Sequence, residues 1–191
     1  MTRCILSILL CILSGTMPHA ILTAIGADRP GLVEEVSQFI FSRGGNIEDS
    51  RMVNLRGQFA MMVLVGGSDE LLSRLKREIG ELSRSSSLHI EFHESRDAAS
   101  KSAGPSLPFR LTGTAIDQPG LVHRVASVLR EMQINIESLD TRLTAAPYTG
   151  APMFEMELIL SVPKTTLLSQ LRQNIAKLCD ELNVDWNLDP V

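Results

Sequence analysis

Two stretches of sequence decide the fold of this protein: GADRPGLV at residues 26–33 and AIDQPGLV at residues 115–122. They are related by an offset of 89 residues, and the same offset aligns the triplet NIE at residues 46–48 with NIE at residues 135–137 without a gap. Agreement at so many positions indicates an internal repeat in which each copy forms one structural unit.

The repeat continues along the chain and leaves only short segments outside it. A leucine-containing stretch at residues 71–79 matches residues 167–175 at an offset of 96, so the second copy gains 7 residues, which we place at residues 145–152. Residues 98–105 are small and polar, as is typical of a linker. The predicted organisation is a leader at residues 1–17, a domain at 18–95, a linker at 96–108 and a second domain at 109–191.

The apolar residues of each copy change between a period of two and a period of about 3.6, which predicts alternating strands and helices. In the first copy we expect strands at residues 21–27, 47–55, 58–65 and 88–92, with helices from residue 32 to the Gly44-Gly45 pair and at 69–83. In the second copy we expect strands at residues 109–116, 136–144, 153–162 and 184–188, with helices at 121–132 and 164–182. The order βαββαβ, found twice, predicts an α+β fold of two ferredoxin-like domains with antiparallel sheets.

The strand FAMMVLV at residues 59–65 is apolar on both faces. Helices cover only one face of a βαββαβ sheet, so the other face of this strand needs a further cover. We expect that cover to be the other domain or another subunit.

Composition limits the classes of function. With 44% hydrophobic and 21% charged residues in a chain of 191, the protein is typical of globular proteins. The net charge of -4 disfavours direct binding to DNA or RNA, because phosphate backbones attract basic surfaces. The three cysteines form no Cys-x-x-Cys pair and suit a reducing compartment, so we expect a cytoplasmic protein.

The leader has three open interpretations. Arg3 and the apolar stretch Cys4–Leu13 have the layout of a secretory signal, but this stretch is too short to span a membrane as a helix. The segment is then a cleaved signal, an ordered extension, or sequence before a true start at Met17, which is the interpretation that we favour because the first strand follows at once.

The Asp-x-Pro-Gly segments suggest a small-ligand site. We expect Asp28 and Asp117 to cap the helices that follow, and the glycines Gly31 and Gly120 to keep the backbone bare for close approach. Amides at a helix start can receive an amino-acid carboxylate, and a carboxylate or carboxamide can receive its ammonium group. The alternative is that these segments are turns without any ligand, because strand-to-helix turns use the same residues.

Signals for metal binding or catalysis are weak. His89 and His93 share a strand face with Glu91, which is a geometry that could hold a metal, but such residues are more often solvated. No Gly-x-Ser-x-Gly, Walker-type, His-Glu-x-x-His or Gly-x-Gly-x-x-Gly motif occurs. We therefore expect no metal, no cofactor and no enzyme activity.

On the repeated Asp-x-Pro-Gly-Leu-Val and Asn-Ile motifs, the sequence resembles tandem ACT-domain proteins, in particular the glycine cleavage system transcriptional repressor group. The resemblance covers about residue 18 to the C-terminus. It implies amino-acid binding near the first strand-to-helix loop, at interfaces between ACT domains. The ligand residues that it implies here are Asp28, Arg29, Pro30, Gly31, Leu32, Asn46 and Ile47, with Asp117, Gln118, Pro119, Gly120, Leu121, Asn135 and Ile136 in the second copy.

The resemblance also implies a function without chemistry. It predicts an amino-acid-responsive regulator with glycine as effector, which forms a homo-oligomer and acts on a protein partner, a transcriptional activator, without direct contact to nucleic acid or membrane. Two alternatives remain: an interaction or oligomerisation module without ligand, and a regulatory subunit of an amino-acid metabolic enzyme. Asn46 and Asn135 also have an alternative role as turn residues at strand starts.

Overall fold

The computed structural model describes residues 18–95 and 104–191. The predicted leader, and residues 96–103 of the predicted linker, lie outside these described residues. The chain divides into two compact units, with the division between residues 101 and 102. Within the described residues, no helix combines the length and the hydropathy needed to cross a membrane.

The first unit contains one four-stranded antiparallel sheet, sheet 1, with strand order β2-β3-β1-β4. Its elements in chain order are β1 (His19–Ala27), α1 (Leu32–Ser42), β2 (Asn46–Leu55), β3 (Gln58–Gly66), α2 (Asp69–Ser86) and β4 (His89–Ser95).

The second unit repeats this arrangement in sheet 2, with strand order β6-β7-β5-β8. Its elements are β5 (Ser106–Ile116), α3 (Leu121–Glu131), β6 (Asn135–Ala145), β7 (Pro152–Pro163), α4 (Leu168–Leu182) and β8 (Asp185–Pro190). Both units therefore have the βαββαβ order, and the predicted fold class is confirmed.

In both units the helices pack on one face of the sheet through an apolar stripe. In the first unit, Leu32, Val36 and Ile40 of α1 are buried against the strands, and Leu75 of α2 is completely buried. In the second unit, Leu121, Val125 and Leu129 of α3 and Leu171 and Ile175 of α4 do the same. In the residues that the structure describes, the opposite face, which we call the outer face, carries no helix of its own unit.

The predicted starts of two elements were wrong by three or four residues. Strand β5 begins at Ser106 and not at residue 109, so the last three residues of the predicted linker are strand; there Ser106 pairs with Pro163, and the Ser161 hydroxyl donates a hydrogen bond to the Ser106 hydroxyl at 2.7 Å. Helix α4 begins at Leu168 and not at residue 164. The residues before it form a turn in which the Thr166 amide donates to the Pro163 carbonyl, so the helix begins only after this turn.

Candidate ligand site at the strand-to-helix loops

The loops after β1 and β5, residues 28–31 and 117–120, have the same backbone. The residue at the N-cap of the helix is Gly31 with φ 96° in the first loop and Gly120 with φ 93° in the second. This left-handed conformation favours glycine, whether or not a ligand approaches. The prediction that Asp28 and Asp117 cap the helices was wrong, because neither helix has a side-chain cap and each aspartate lies three residues before the N-cap.

The two aspartates have different surroundings. The Asn54 side-chain amide donates a hydrogen bond of 2.5 Å to the Asp28 carboxylate, so Asn54 fixes this group at the end of β2. The offset of 89 residues places Leu143 at the corresponding position in the second unit, and leucine cannot donate. Within the described residues, the Asp117 carboxylate has no hydrogen-bond or ion-pair partner. Only the second loop therefore leaves its carboxylate available to a ligand.

The second residue of each loop ties it to the end of the other helix. Arg29 donates to Glu35 at 2.5 and 2.8 Å and to the Ser86 carbonyl at 3.4 Å. Gln118 donates to the Leu182 carbonyl at 2.9 Å. Ser86 and Leu182 are the last residues of α2 and α4. Both side chains, which we predicted to touch a ligand, are thus held by contacts within their own domain.

The ion pair in the first loop has an electrostatic consequence. The hydrogen bond from Arg29 lowers the pKa of Glu35 below its ordinary value, and Glu35 raises the pKa of Arg29. Glu34 and Glu35 place two carboxylates in the first turn of α1, whereas the first turn of α3 has no acidic residue. An anionic group near the helix amides is therefore opposed in the first unit and favoured in the second.

The remaining loop residues have structural roles. Pro30 and Pro119 are exposed in the turn just before the N-cap glycine. Leu32 and Leu121 begin the helices, and their side chains are buried in the two cores. The two leucines anchor the loops to the cores, and their side chains are too buried to contact a ligand.

The predicted asparagines lie at the other end of each sheet. Asn46 pairs with the last residue of β3, and Asn135 pairs with Ser161 near the end of β7. The loops follow β1 and β5, whose last residues pair with the beginnings of β3 and β7 at the other end of each sheet. At the usual rise of about 3.4 Å per residue, eight residues of strand separate the two ends by nearly 30 Å. One domain therefore cannot bring its aspartate and its asparagine to the same small ligand.

The asparagine end of the second unit has its own depression. Asn135 and Ile136 line a surface pocket of about 400 Å³ together with Ala126, Arg130 and Gln133. Ile47 and Ile136 turn their side chains towards the cores and are partly buried. Another depression, of about 470 Å³, lies at the outer face of sheet 2 between Thr112, Asp140 and Glu157, away from the loops.

Other reactive groups do not form a centre. His89 and His93 contact Glu91 at 3.2 and 3.3 Å on an exposed row of β4. In the part of the chain that the structure describes, no three His, Cys, Asp or Glu side chains are placed to hold a metal ion. Cys179 is buried in the second core, and desolvation raises the pKa of its thiol to about 11.

Sequence reasoning missed the residues that distinguish the two loops. Two of the contacts come from Asn54 and Glu35, which the second copy of the repeat does not preserve. The others come from carbonyl groups at the helix ends, which are distant from the loops in sequence. Replacement of Asn54 by Leu143 at the repeat offset is a signal in the sequence, but its meaning depends on strand pairing.

Fold and loops together define a pair of ferredoxin-like modules, each of which presents a glycine-containing strand-to-helix loop. A family model described as ACT domain matches residues 19–93. The chain is 42% identical over 65 residues to UPF0237 protein MK1213 of Methanopyrus kandleri, which covers 33% of this chain and 72% of that protein. The chain belongs to the ACT-domain family.

Two further comparisons span almost the whole chain. It is 25% identical over 173 residues to the glycine cleavage system transcriptional repressor of Escherichia coli (strain K12), covering 91% of this chain and 90% of that protein. The crystal structure of an unknown protein from Galdieria sulphuraria matches with a TM-score of 0.77 and 25% identity, covering 92% of this chain and 99% of that one. The chain is thus an ACT-domain regulatory protein related to a repressor, which agrees with the prediction that it is not an enzyme.

Proposed function

We propose that this protein is an amino-acid-responsive regulator of the glycine cleavage system, with its ligand at the second loop. The observation that carries the proposal is the loop at residues 117–120, where the Asp117 carboxylate, which has no partner among the described residues, lies near a helix start without acidic residues. The carboxylate suits an ammonium group, and the first amides of α3 suit a carboxylate. An α-amino acid supplies both groups at short separation.

The name of the relative supports our choice of glycine as the ligand, and the charge of the chain supports our choice of a protein partner. The related repressor is named for the glycine cleavage system, and glycine is the smallest ligand with the required two charges. The acidic net charge of -4 favours action on a protein, a transcriptional activator, over direct contact with DNA. We place this activity in the cytoplasm, where an activator and free amino acids are both available.

The distance between the two ends of each sheet adds a requirement for a second domain. If Asn135 also contacts the ligand that Asp117 holds, the asparagine must come from another ACT domain, because the two ends of one sheet are too far apart. Ligand binding would then stabilise one assembly over another, which is how a small molecule changes affinity for a partner.

A test compares the two loops directly. Isothermal titration calorimetry of the full chain should detect glycine binding that Asp117→Ala removes and Asp28→Ala, the matched control, leaves within twofold. Acetate, which lacks the ammonium group, and glycinamide, which lacks the carboxylate, should bind at least tenfold more weakly than glycine.

Three results would count against the proposal. Binding that depends on Asp28 and not on Asp117 would reassign the ligand to the first loop. Tighter binding of a larger amino acid would show that this amino acid, and not glycine, is the ligand. No heat and no rise in melting temperature with any amino acid would favour the ligand-free interaction module, since a ligand that binds the folded state must raise its stability.

A further inference from the structure

The strand pairings arrange the outer face of sheet 1 in rows that cross all four strands, and three of these rows form its middle. On β1 the residues Ala20, Leu22 and Ala24 are buried under the helices, so the alternate positions define the outer face. From β2 to β4 the rows are Asp49, Leu64, Ile21, His93; then Arg51, Met62, Thr23, Glu91; then Val53, Ala60, Ile25, His89.

This face has an apolar centre and charged edges. The two central strands contribute mostly apolar side chains, and Met62 and Ile25 are each 52% exposed. The β2 edge carries Asp49 and Arg51, which pair with each other at 2.6 Å. An exposed apolar surface with a polar rim is typical of an interaction site.

We infer that the outer face of sheet 1 binds the same face of a second copy of this chain. Face-to-face sheets pack with their strands nearly aligned. A two-fold axis parallel to the strands places β4 of one copy over β2 of the other and keeps each row aligned with itself. Glu91 then faces the partner's Arg51, and His93 faces the partner's Asp49.

The charges select this axis over the other in-plane axis. An axis perpendicular to the strands would place β4 over β4 and bring Glu91 against the partner's Glu91, which is repulsive. The axis parallel to the strands instead gives two copies of the Glu91–Arg51 contact, as an isologous dimer requires. The arrangement of the edge charges is therefore self-complementary in one orientation.

The outer face of sheet 2 is a poor match for the same surface. Its strand pairings place Glu155 and Glu157 at the positions that Ala60 and Met62 occupy in sheet 1. Burying these carboxylates against the apolar centre would leave them without solvation. A second copy of sheet 1 supplies apolar groups at the same positions and is the better occupant.

The area of the face predicts the strength of the dimer. Four strands spaced by about 4.8 Å and some 25 Å long bury roughly 900 Å² over both copies. This value lies below the standard size of specific interfaces, so we expect a reversible dimer that forms at micromolar concentrations. The dimer does not require the ligand site proposed above.

Sedimentation velocity of the full chain over a concentration series tests the surface. Met62→Glu introduces the residue that sheet 2 carries at this position and should weaken dimerisation at least tenfold. Phe41→Glu is the matched control, because Phe41 is 73% exposed and lies on α1, on the helix side of the sheet. Dimerisation that persists in Met62→Glu, or is lost in Phe41→Glu, would overturn the inference, and so would a wild-type chain that stays monomeric throughout.

Charge reversal tests the orientation. Glu91→Arg alone and Arg51→Glu alone should each weaken the homodimer, because each places like charges opposite each other. An equimolar mixture of the two variants should dimerise as well as the wild type, since both contacts of the heterodimer again pair opposite charges, one of them with reversed sign. Single reversals without effect, or a mixture that remains monomeric, would exclude this axis, and the recovery in the mixture separates misfolding from lost contact.

Discussion

Each unit has an aspartate at the start of its strand-to-helix loop, but within the described residues only one of the two carboxylates accepts a hydrogen bond. In the first unit, Asn54 donates to Asp28 and Arg29 neutralises Glu35. In the second, Asp117 has no partner within the described residues, and Gln118 reaches only a carbonyl. The first loop satisfies its own charges, whereas the second presents a free carboxylate beside a helix start without acidic residues.

The outer faces of the two sheets also differ, and here the first unit is the one with the apolar surface suited to binding. Sheet 1 has an apolar centre, whereas sheet 2 carries Glu157 within 3.1 Å of Arg110 and Glu155 within 3.6 Å of Arg142. Exposed ion pairs of this kind are well solvated and contribute little to stability. The two units therefore share a backbone but differ in surface chemistry, and we assign assembly to sheet 1 and ligand binding to the second loop.

The largest expected effect tests whether the two units unfold separately. Leu75 and Leu171 are both completely buried, and truncation of such a leucine costs about 2–5 kcal/mol. The protein has 1 tryptophan, Trp186, on β8, so its fluorescence reports on the second unit. Leu171→Ala should lower the urea midpoint of the Trp186 transition, and Leu75→Ala should leave it unchanged. An equal shift in both variants would show that the two units unfold as one.

A smaller effect concerns a close contact under sheet 2. Gly113 occupies the position that Ala24 has in the first unit, and a Cβ at Gly113 would lie 2.4 Å from the Met156 methyl carbon. Gly113→Ala should therefore cost about 1–3 kcal/mol through overpacking, as measured by urea unfolding. Adding Met156→Leu, which shortens the opposing side chain, should recover part of this loss. A Gly113→Ala variant as stable as the wild type would show that the second core is looser than the structure indicates.

The smallest effect concerns the Arg29–Glu35 pair. Arg29→Gln, which introduces the residue of the second loop, should raise the pKa of Glu35 towards its ordinary value, as followed by NMR titration. A lowered pKa in the folded state stabilises the fold above the ordinary pKa of glutamate, and this contribution is lost as pH falls through the lowered value. The wild type and Arg29→Gln should thus converge in stability at low pH.

The reverse exchange is the control for this pair. Gln118→Arg should gain no comparable ion pair, because the second unit has Arg124 where the first has Glu35. A Glu35 pKa that does not move in Arg29→Gln would show that the two side chains are not paired in solution.

The sequence predicted most elements because their signals are local. The repeat offset, the periodicity and the Gly44-Gly45 helix stop placed the strands and helices to within a few residues. The largest differences among the predicted starts were at β5 and α4, where pairing of Ser106 with the long strand β7 and the turn after Pro163 decide the boundary. Periodicity alone carries no information about either contact.

The sequence predicted which residues form the two loops, but not how their side chains are arranged. Asp28 and Asp117 were predicted as helix caps because aspartate before a helix usually is one. In the structure, the proline and the left-handed glycine that follow move the helix start beyond the reach of the carboxylates. The difference between the two aspartates arises from Asn54 on β2 and Leu143 on β6, each 26 residues further along the chain.

By itself, the sequence determined a duplicated βαββαβ chain with two glycine-containing loops, because turn chemistry and apolar periodicity depend on neighbouring residues. Only the tertiary structure decided that the asparagines lie at the opposite sheet end from the aspartates and that Asn54 donates a hydrogen bond to Asp28. The tertiary structure also decided that complementary charges line the two edges of sheet 1. These features depend on the register of antiparallel strands, which brings together residues distant in sequence.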